Sequence, residues 1–278
     1  MKLFQKIGLV AVLSLAVVGT AACGKKSAAE QPKKEEIVIA TGAYPKPYAY
    51  EEDGKLKGFD IDLAKAVFKK LPQYTVSFEK TEFPSILAGI DTGRYQMGAN
   101  SFAKSEERTE KYQFSEALYN NPMGIILPKD STIKSFDDLA GKKTSGEPAV
   151  SYSVLIEDYN KKHTDNPIKL SYTEEDMVKQ FQNVENGKLD FKLESIIIAN
   201  QVIKDQKLNL KTVEVPQGTV DSRSAYSYFV FAKTKEGKAL AKKVNKVLDS
   251  FREDGTLQKL SEQYFGKDYV PDASEAKE

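Results

Sequence analysis

The chain of 278 residues contains a single cysteine, Cys23, so no disulfide bond can form within it. Its fold must therefore be held together by a hydrophobic core, and the residues after position 36 are numerous enough to build two lobes of modest size. The 41 basic and 40 acidic residues nearly cancel. Net charge therefore indicates neither a nucleic-acid partner nor electrostatic binding to a membrane surface.

Cys23 lies where an N-terminal export signal would end. Lys2 and Lys6 give the first residues a positive charge, residues 7–18 form an apolar run, and small residues occupy positions 19–22. This layout is typical of a secretory signal, and the apolar run is short for a membrane span. No later stretch is apolar over the roughly 18 residues that a spanning helix needs.

The small residues directly before the lone cysteine resemble a bacterial lipoprotein signal, in which the leader is removed and the thiol is lipidated. Thr20 departs from that signal, which usually has Leu at this position. The resemblance implies a signal peptide over residues 1–22, a lipid anchor on Cys23 and a location on the extracellular face of the cell membrane. Residues 23–36 are predicted to be a flexible spacer. An ordinary signal peptide with a coincidental cysteine is the alternative.

Strand and helix patterns alternate along the rest of the chain. Strands are predicted over residues 37–40, 74–78, 96–100, 123–127, 191–193, 210–215 and 228–232. Helices are predicted over residues 60–71, 83–90, 151–159, 173–185, 196–203, 240–251 and 256–265. Asp60 and Thr173 are expected to cap the first and the fourth of these helices. The alternation predicts an α/β fold, followed by a polar tail over residues 271–278 that is expected to be frayed.

Several kinds of reaction chemistry lack their usual residues in this sequence. His163 is the only histidine, and its charged neighbours predict an exposed loop. A histidine-based triad and a two-histidine metal site are therefore not expected. The sequence has no glycine-rich phosphate loop either. We accordingly expect no cofactor, no metal ion and no catalytic residue.

Arg108 occupies an unusual place for a basic residue. Asn100 ends a predicted strand, and open α/β sheets bind ligands beyond the carboxyl ends of their strands. Ser105 is predicted to cap the following helix, so Arg108 lies in a first turn, where the helix dipole opposes a positive charge. The chain has only four arginines, and a guanidinium binds a carboxylate through two parallel hydrogen bonds. Arg108 is thus either a ligand anchor or a surface residue that pairs with Glu107 or Glu110.

Seven short motifs are spread over residues 37–266. They are GKLKGFDIDLA at 54–64, FPSILAG at 83–89, SEER at 105–108, FS at 114–115, FDDLAGKK at 136–143, DGTL at 254–257 and YFG at 264–266. None of them is specific alone. Together, in this order and at this spacing, they resemble the amino-acid-binding proteins of bacterial ABC importers, the extracellular solute-binding proteins of family 3.

The resemblance implies a type II periplasmic-binding-protein-like fold, with two α/β lobes and a ligand cleft between them. Lobe 1 would comprise residues 37–120 plus 225–270, and lobe 2 residues 121–224. The implied protein is a monomer that captures an amino acid outside the cell, closes around it and delivers it to an ABC permease. Aromatic positions and the similarity to Gram-positive members favour cystine, methionine or another apolar amino acid.

The resemblance also assigns roles to individual residues in the first lobe. Arg108 matches the arginine that holds the ligand α-carboxylate. Ser101 matches a neighbouring polar contact, and Asn100 directly precedes it. Tyr44 and Phe83 match the aromatic walls that enclose the ligand side chain, although simple core packing is the alternative for both.

In the second lobe the sequence departs from the family pattern. Ser151 falls where the family often has a hydroxyl residue near the carboxylate, but the family's Gly-Thr turn is replaced by Ala149, Val150 and Ser151. The aspartate that commonly pairs with the ligand ammonium aligns with Ser195, and Glu194 lies beside it. Either Glu194 binds the ammonium, or Ser195 and backbone carbonyls do, or Glu194 is a surface acid.

Two other functions remain open at this point. A few proteins of this fold are dehydratase-like enzymes or lyases, and these need a catalytic acid in the cleft. A ligand-sensing surface lipoprotein is the other alternative, although such a sensor is normally fused to a spanning helix and a signalling domain. We expect a binding protein rather than an enzyme.

Overall fold

The structure, a computed structural model, describes residues 34–148, 150–216 and 226–277. The predicted signal peptide, Cys23 and most of the predicted spacer lie outside these residues. The predicted second boundary between the lobes, at residues 224 and 225, also lies outside them. None of the helices in the described residues combines the length and the apolar character that a membrane span requires.

Strands and helices alternate through the described residues, as the sequence predicts. The strands are β1 (Glu35–Thr41), β2 (Tyr50–Glu52), β3 (Lys55–Lys57), β4 (Tyr74–Lys80), β5 (Met97–Phe102), β6 (Tyr112–Phe114), β7 (Tyr119–Asn120), β8 (Met123–Pro128), β9 (Lys143–Gly146), β10 (Lys169–Tyr172), β11 (Lys192–Ser195), β12 (Leu210–Glu214) and β13 (Tyr226–Ala232). The helices are α1 (Phe59–Lys69), α2 (Phe83–Asp91), α3 (Glu106–Lys111), α4 (Ser151–Lys162), α5 (Met177–Glu185), α6 (Ile196–Gln206), α7 (Lys235–Glu253) and α8 (Thr256–Phe265).

The strands form one large sheet and several small ones. The large sheet has the order β4-β1-β5-β13-β6, and β7 pairs with β13 beside β6. In it, β1 runs parallel to β4 and β5, whereas β13 runs antiparallel to β5. A second sheet has the antiparallel order β11-β8-β12, and β9 pairs in parallel with β10.

The sheets divide the molecule into two lobes. We use lobe 1 for the part built on the large sheet, whose strands come from before β8 and after β12, and lobe 2 for the part built on β8 to β12. This is the two-lobe, type II α/β architecture that the resemblance implied. The chain passes into lobe 2 between β7 and β8, where Asn120 and Asn121 lie.

Hydrophobic clusters support both lobes, and the cluster of lobe 1 also includes Ile197 and Ile198 of α6. In lobe 1, α1, α7 and α8 pack on the large sheet, and the predicted stripe of α7 is buried there as expected. In lobe 2, Ile125, Leu127, Ile156, Phe191 and Leu193 join β8, α4 and β11 in one cluster. Burial of apolar surface therefore replaces the disulfides that the sequence cannot form.

Three local predictions are wrong. The cap of α5 is Asp176, whose side chain accepts a hydrogen bond from the Lys179 N–H; the Thr173 side chain instead accepts one from the Glu175 N–H. The C-terminal tail is not frayed, because Ala276 is buried and its carbonyl accepts a hydrogen bond from the Ala117 N–H.

The third error concerns Asp60, which lies inside α1 and is not its cap. The N-cap is Gly58, with φ 119°, and a Cβ atom there would lie 2.3 Å from the Tyr48 carbonyl oxygen. The Asp60 side chain is fully buried. Its Oδ2 accepts a hydrogen bond of 2.6 Å from the Ser101 N–H, whereas Oδ1 has no partner among the described residues. Burial raises the pKa of the Asp60 carboxyl to about 7.

Asp60 should make the protein less stable as the pH rises from about 4 to about 7. An unfolded aspartate loses its proton near pH 4, but folded Asp60 keeps its proton up to about pH 7. The folded state binds the extra proton in this window, so this contribution is complete below pH 4 and is lost as the pH rises. At about 1.4 kcal/mol per pKa unit, the loss reaches at most about 4 kcal/mol.

Urea unfolding between pH 4 and pH 8 measures this effect. The free energy of unfolding of Asp60→Asn should change less over this pH range than that of the wild type, since an amide does not titrate. Asp165→Asn, at an exposed acid, should keep the wild-type pH profile. Parallel profiles for the wild type and Asp60→Asn would contradict the prediction.

Candidate functional site

The carboxyl end of β5 fixes the loop that follows β1. Asn100 is buried there, and its Oδ1 accepts hydrogen bonds from the Thr41 hydroxyl (3.0 Å) and the Gly42 N–H (2.8 Å). Its Nδ2 donates to the Tyr44 carbonyl (3.0 Å). Most of the Asn100 carboxamide is thus engaged with the protein, so Asn100 holds the backbone of Tyr44 in place.

Ser101, the next residue, has an unusual backbone. Its φ is 51°, in the left-handed region that few residues other than glycine adopt. Its N–H donates to Asp60, and its hydroxyl lies 3.0 Å from the Ser227 hydroxyl. These contacts come from α1 and β13, so both elements hold the turn at the end of β5.

Arg108 lies in the first turn of α3, as predicted. Ser105 caps this helix by accepting a hydrogen bond of 3.3 Å from the Arg108 N–H. The guanidinium donates to the Ala103 carbonyl (3.1 Å), and burial lowers its pKa from the ordinary value. Glu107 pairs with Lys111 at 2.8 Å, and Arg108 forms no ion pair with any described residue. Pairing with Glu107 or Glu110 therefore does not account for Arg108.

Phe83 lies next to Arg108. Its ring stacks on the buried ring of Phe102, with centroids 5.0 Å apart, and its side chain is still 37% exposed. The Arg108 guanidinium carbon lies 6.0 Å from the Phe83 ring centroid. Arg108 and Phe83 thus form one surface of lobe 1 that combines a positive charge with an aromatic face.

A cavity of about 190 Å³ lies between residues of the two lobes. Tyr44 and Pro45, after β1, line it from one side, and residues of lobe 2 line the rest. Tyr44 is 59% exposed, so core packing does not account for it. Desolvation, followed by the nearby carboxylates of Glu194 and Glu147, raises the pKa of the Tyr44 phenol.

Two charged side chains of β11 line this cavity. Lys192 and Glu194 are two positions apart on the strand, which directs both side chains to the same face of the sheet. Glu194 is only 8% exposed, so it is not a surface acid. Its Oε1 accepts a hydrogen bond of 2.8 Å from the Ser195 N–H, and burial raises the pKa of its carboxyl.

Ser195 has a different role from that of its neighbour. It is fully buried and caps α6, accepting hydrogen bonds from the backbone N–H groups of Ile197 and Ile198. Its hydroxyl also lies 2.7 Å from the Tyr48 hydroxyl, which donates to the Asn121 side chain at 2.7 Å. Ser195 therefore joins lobe 2 to lobe 1 and does not line the cavity.

The predicted site residues fall into separate groups. Tyr44 and Glu194 line one cavity, and Arg108 and Phe83 form a separate surface of lobe 1. Ser151 is exposed at the first position of α4 and does not line the cavity, although the next residue, Tyr152, does.

The sequence analysis missed five polar residues that line the cavity, Ser145, Glu147, Tyr152, Ser153 and Lys192. Lys192 could have been found, because it lies in the predicted strand over residues 191–193, two positions before Glu194. Among the described residues, no three His, Cys, Asp or Glu side chains gather where they could hold a metal ion.

Comparison with known proteins identifies the family. The model of the bacterial extracellular solute-binding proteins, family 3, matches residues 37–267. The probable amino-acid-binding protein YxeM of Bacillus subtilis is 35% identical over 271 residues, which are 96% of this chain and 97% of that protein. The L-cystine-binding protein TcyK of the same organism is 28% identical over 270 residues, 95% of this chain and 97% of that protein.

One solved structure is described as the basis of glutathione import in Gram-positive bacteria via GshT and the cystine ABC importer TcyBC of Streptococcus mutans. It is 41% identical to this chain and has a TM-score of 0.80, and the match covers 87% of this chain and 99% of that one. The match to the family model extends over both lobes. This chain therefore belongs to the bacterial extracellular solute-binding proteins of family 3, which are solute-binding proteins of ABC importers and not enzymes.

Proposed function

We propose that this protein captures a sulfur-containing or apolar amino acid of the cystine type outside the cell and delivers it to an ABC permease. The observation that carries the proposal is a pair of charges, Arg108 in lobe 1 and Glu194 in lobe 2. Neither forms an ion pair with a described residue. A free amino acid has the two complementary charges, a carboxylate and an ammonium.

Arg108 is the proposed anchor of the ligand α-carboxylate. The hydrogen bond to the Ala103 carbonyl holds the Arg108 guanidinium before any ligand arrives, which reduces the side-chain entropy that binding would cost. A bidentate, charge-assisted pair with a carboxylate would compensate the desolvation that already lowers the Arg108 pKa. Phe83 would cover the apolar part of the ligand beside this pair.

Glu194 is the proposed partner of the ligand ammonium. The ammonium loses water when the lobes close and then needs acceptors in the cleft. Glu194 is buried at the cavity wall opposite Tyr44, and one of its carboxylate oxygens is engaged with the Ser195 N–H. The Tyr44 ring would form the second aromatic wall, facing the cavity from lobe 1.

The relatives support the choice of ligand class. TcyK is an L-cystine-binding protein, and the Streptococcus mutans structure concerns the import of glutathione with a cystine importer. Cystine and glutathione both combine an α-amino acid group with sulfur. The methylene and disulfide segment of cystine would suit a cleft with aromatic walls at Phe83 and Tyr44.

The remaining parts of the proposal concern the division into lobes, the oligomeric state and the membrane anchor. Residues 37–120 with 225–270 would form the first rigid body and residues 121–224 the second, and closure of the two around one ligand would be the signal that the permease recognises. The protein would act as a monomer. Cys23 would carry the lipid that keeps it at the extracellular face of the membrane, with residues 23–36 as the tether.

Arg108→Ala should weaken the binding of L-cystine by more than tenfold in isothermal titration calorimetry. Loss of one partner of a desolvated charge pair typically costs about 2–5 kcal/mol. Arg108→Lys should restore little of the lost affinity, because an ammonium lacks the planar pair of donors. Arg94→Ala is the control, since Arg94 is exposed and pairs with Glu79. Unchanged affinity in a folded Arg108→Ala protein would remove Arg108 from the site.

Glu194→Gln should weaken L-cystine binding much more than Ser195→Ala does. Ser195→Ala removes a helix cap and should lower the melting temperature, since a lost cap costs about 1 kcal/mol. Because burial raises the Glu194 pKa, wild-type affinity should also fall as the pH is lowered, and Glu194→Gln should lack that dependence. Calorimetry at several pH values and thermal unfolding together separate the two roles. A larger loss of affinity for Ser195→Ala would assign the ammonium to Ser195 instead.

Cys23→Ala should yield a protein without a lipid anchor, either precursor-sized or shed into the medium. Fractionation of cells and immunoblotting measure this outcome. Ligand binding by the purified variant should equal that of the wild type, because every described site residue lies after position 33. A processed variant that remains in the membrane fraction would contradict the lipoprotein interpretation.

A further inference from the structure

Lys192 is a buried cation to which the proposed function gives no partner. It is only 6% exposed and lines the cavity between the lobes from β11. It forms no hydrogen bond through its side chain and no ion pair with any described residue. Glu194, on the same strand, interacts electrostatically with Lys192 but forms no ion pair with it.

A lysine in such a position is costly unless something compensates its charge. A buried ammonium loses its hydration, and a protein normally provides hydrogen-bond acceptors or a carboxylate in return. Lys192 instead lies at the cavity wall, where a ligand group could reach it. A buried charge without an ion pair at a cavity wall is a candidate binding group, because a ligand can supply the partner that the protein does not.

The charges around the proposed site indicate which charges the ligand should carry. Arg108 and Lys192 are the cations, and Glu194 and Glu147 are the acids, with Glu147 at the exposed rim of the same cavity. A simple amino acid supplies one carboxylate, for Arg108, and one ammonium, for Glu194. A simple amino acid has no group left for Lys192. The charges of the site therefore indicate one more anionic group on the ligand.

We propose that Lys192 binds a second carboxylate of the ligand, remote from the α-carboxylate held at Arg108. The inference rests on the proposed function, because it takes the Arg108 end as the anchor of the α-amino acid group. The ligand class is then an amino acid derivative with two carboxylates joined by a flexible chain. L-Cystine, with two ammonium groups, and glutathione, with one, both have this chemistry.

The buried hydroxyl residues beside Lys192 suit such a group. Ser145 and Ser153 are both buried and line the same cavity. The Ser145 hydroxyl donates to the Gln180 side chain at 3.1 Å, which leaves Ser153 and the Lys192 ammonium as the donors available for a carboxylate. A point charge with nearby hydroxyls accepts a carboxylate without the fixed geometry of an arginine fork.

Calorimetry on the purified full-length protein tests the inference with three ligands: L-cystine, glutathione and L-methionine, which has one carboxylate. The wild type should bind at least one of the two dicarboxylates more tightly than L-methionine. The dicarboxylate that binds more tightly identifies the type of the natural ligand. Lys192→Met keeps the length of the side chain without its charge. It should weaken dicarboxylate binding more than tenfold and change L-methionine binding less than about twofold. Lys188→Met, at an exposed lysine of the same lobe, is the control.

A test on the ligand side does not depend on the folding of the variant. Wild-type protein should bind the amide of the second carboxyl group of its preferred dicarboxylate more than tenfold more weakly than the free acid. In Lys192→Met, or in Lys192→Gln if the methionine variant does not fold, acid and amide should bind alike.

The outcomes separate the two proposals. Equal loss of L-methionine and dicarboxylate binding in Lys192→Met would mean that Lys192 acts only through Glu194, and this would overturn the inference. Equal binding of acid and amide by the wild type would overturn it as well. Tight binding of L-methionine alone would leave the proposed amino-acid function intact. It would overturn the inference that the ligand has a second carboxylate. Failure of all three ligands to bind would contradict both proposals.

Discussion

The carboxamide of Asn100 is the contact on which the arrangement of the cleft depends. It joins the carboxyl end of β5 to the loop after β1 through three hydrogen bonds, and so fixes the backbone of Tyr44. The neighbouring Ser101 is held in a left-handed conformation by Asp60 from α1. Because these polar groups are buried, a group that lost its hydrogen-bond partner would bear the cost of its desolvation without compensation. One face of the cleft is therefore set by the core of lobe 1.

The other constraint is electrostatic. Arg108, Lys192 and Glu194 are all partly or fully buried, and none has an ion pair among the described residues. A protein selected for stability alone would pair such groups or replace them with apolar side chains. The unliganded protein bears this cost, and a ligand with the complementary charges would remove it. Differential binding of that kind is what favours a closed, liganded state over an open one.

Long, periodic elements and one helix cap could be predicted from the sequence, whereas the other local polar contacts could not. The stripe of α7 and the cap of α3 at Ser105 follow from spacing and residue type alone. Asp60 looked like a cap, but Gly58 takes that place because the chain passes so close to Tyr48 that only glycine fits. Arg108 was found by an unusual position in a helix. The strand that contains Lys192 is predicted, but the burial of its side chain at the cavity is not, because lysine is mostly exposed in proteins.

The position of Glu194 bears on how lobe 2 departs from the family pattern at position 195. An acid at position 195 would lie on the opposite face of β11 from one at position 194, because successive side chains alternate across a strand. Ser195 occupies that face here and is used to cap α6 and to contact Tyr48. Moving the acid by one residue places it on the face that Lys192 shares, so both charges reach the same cavity. In our proposals, Glu194 then binds the ligand ammonium and Lys192 binds a second carboxylate, both from the same face of one strand.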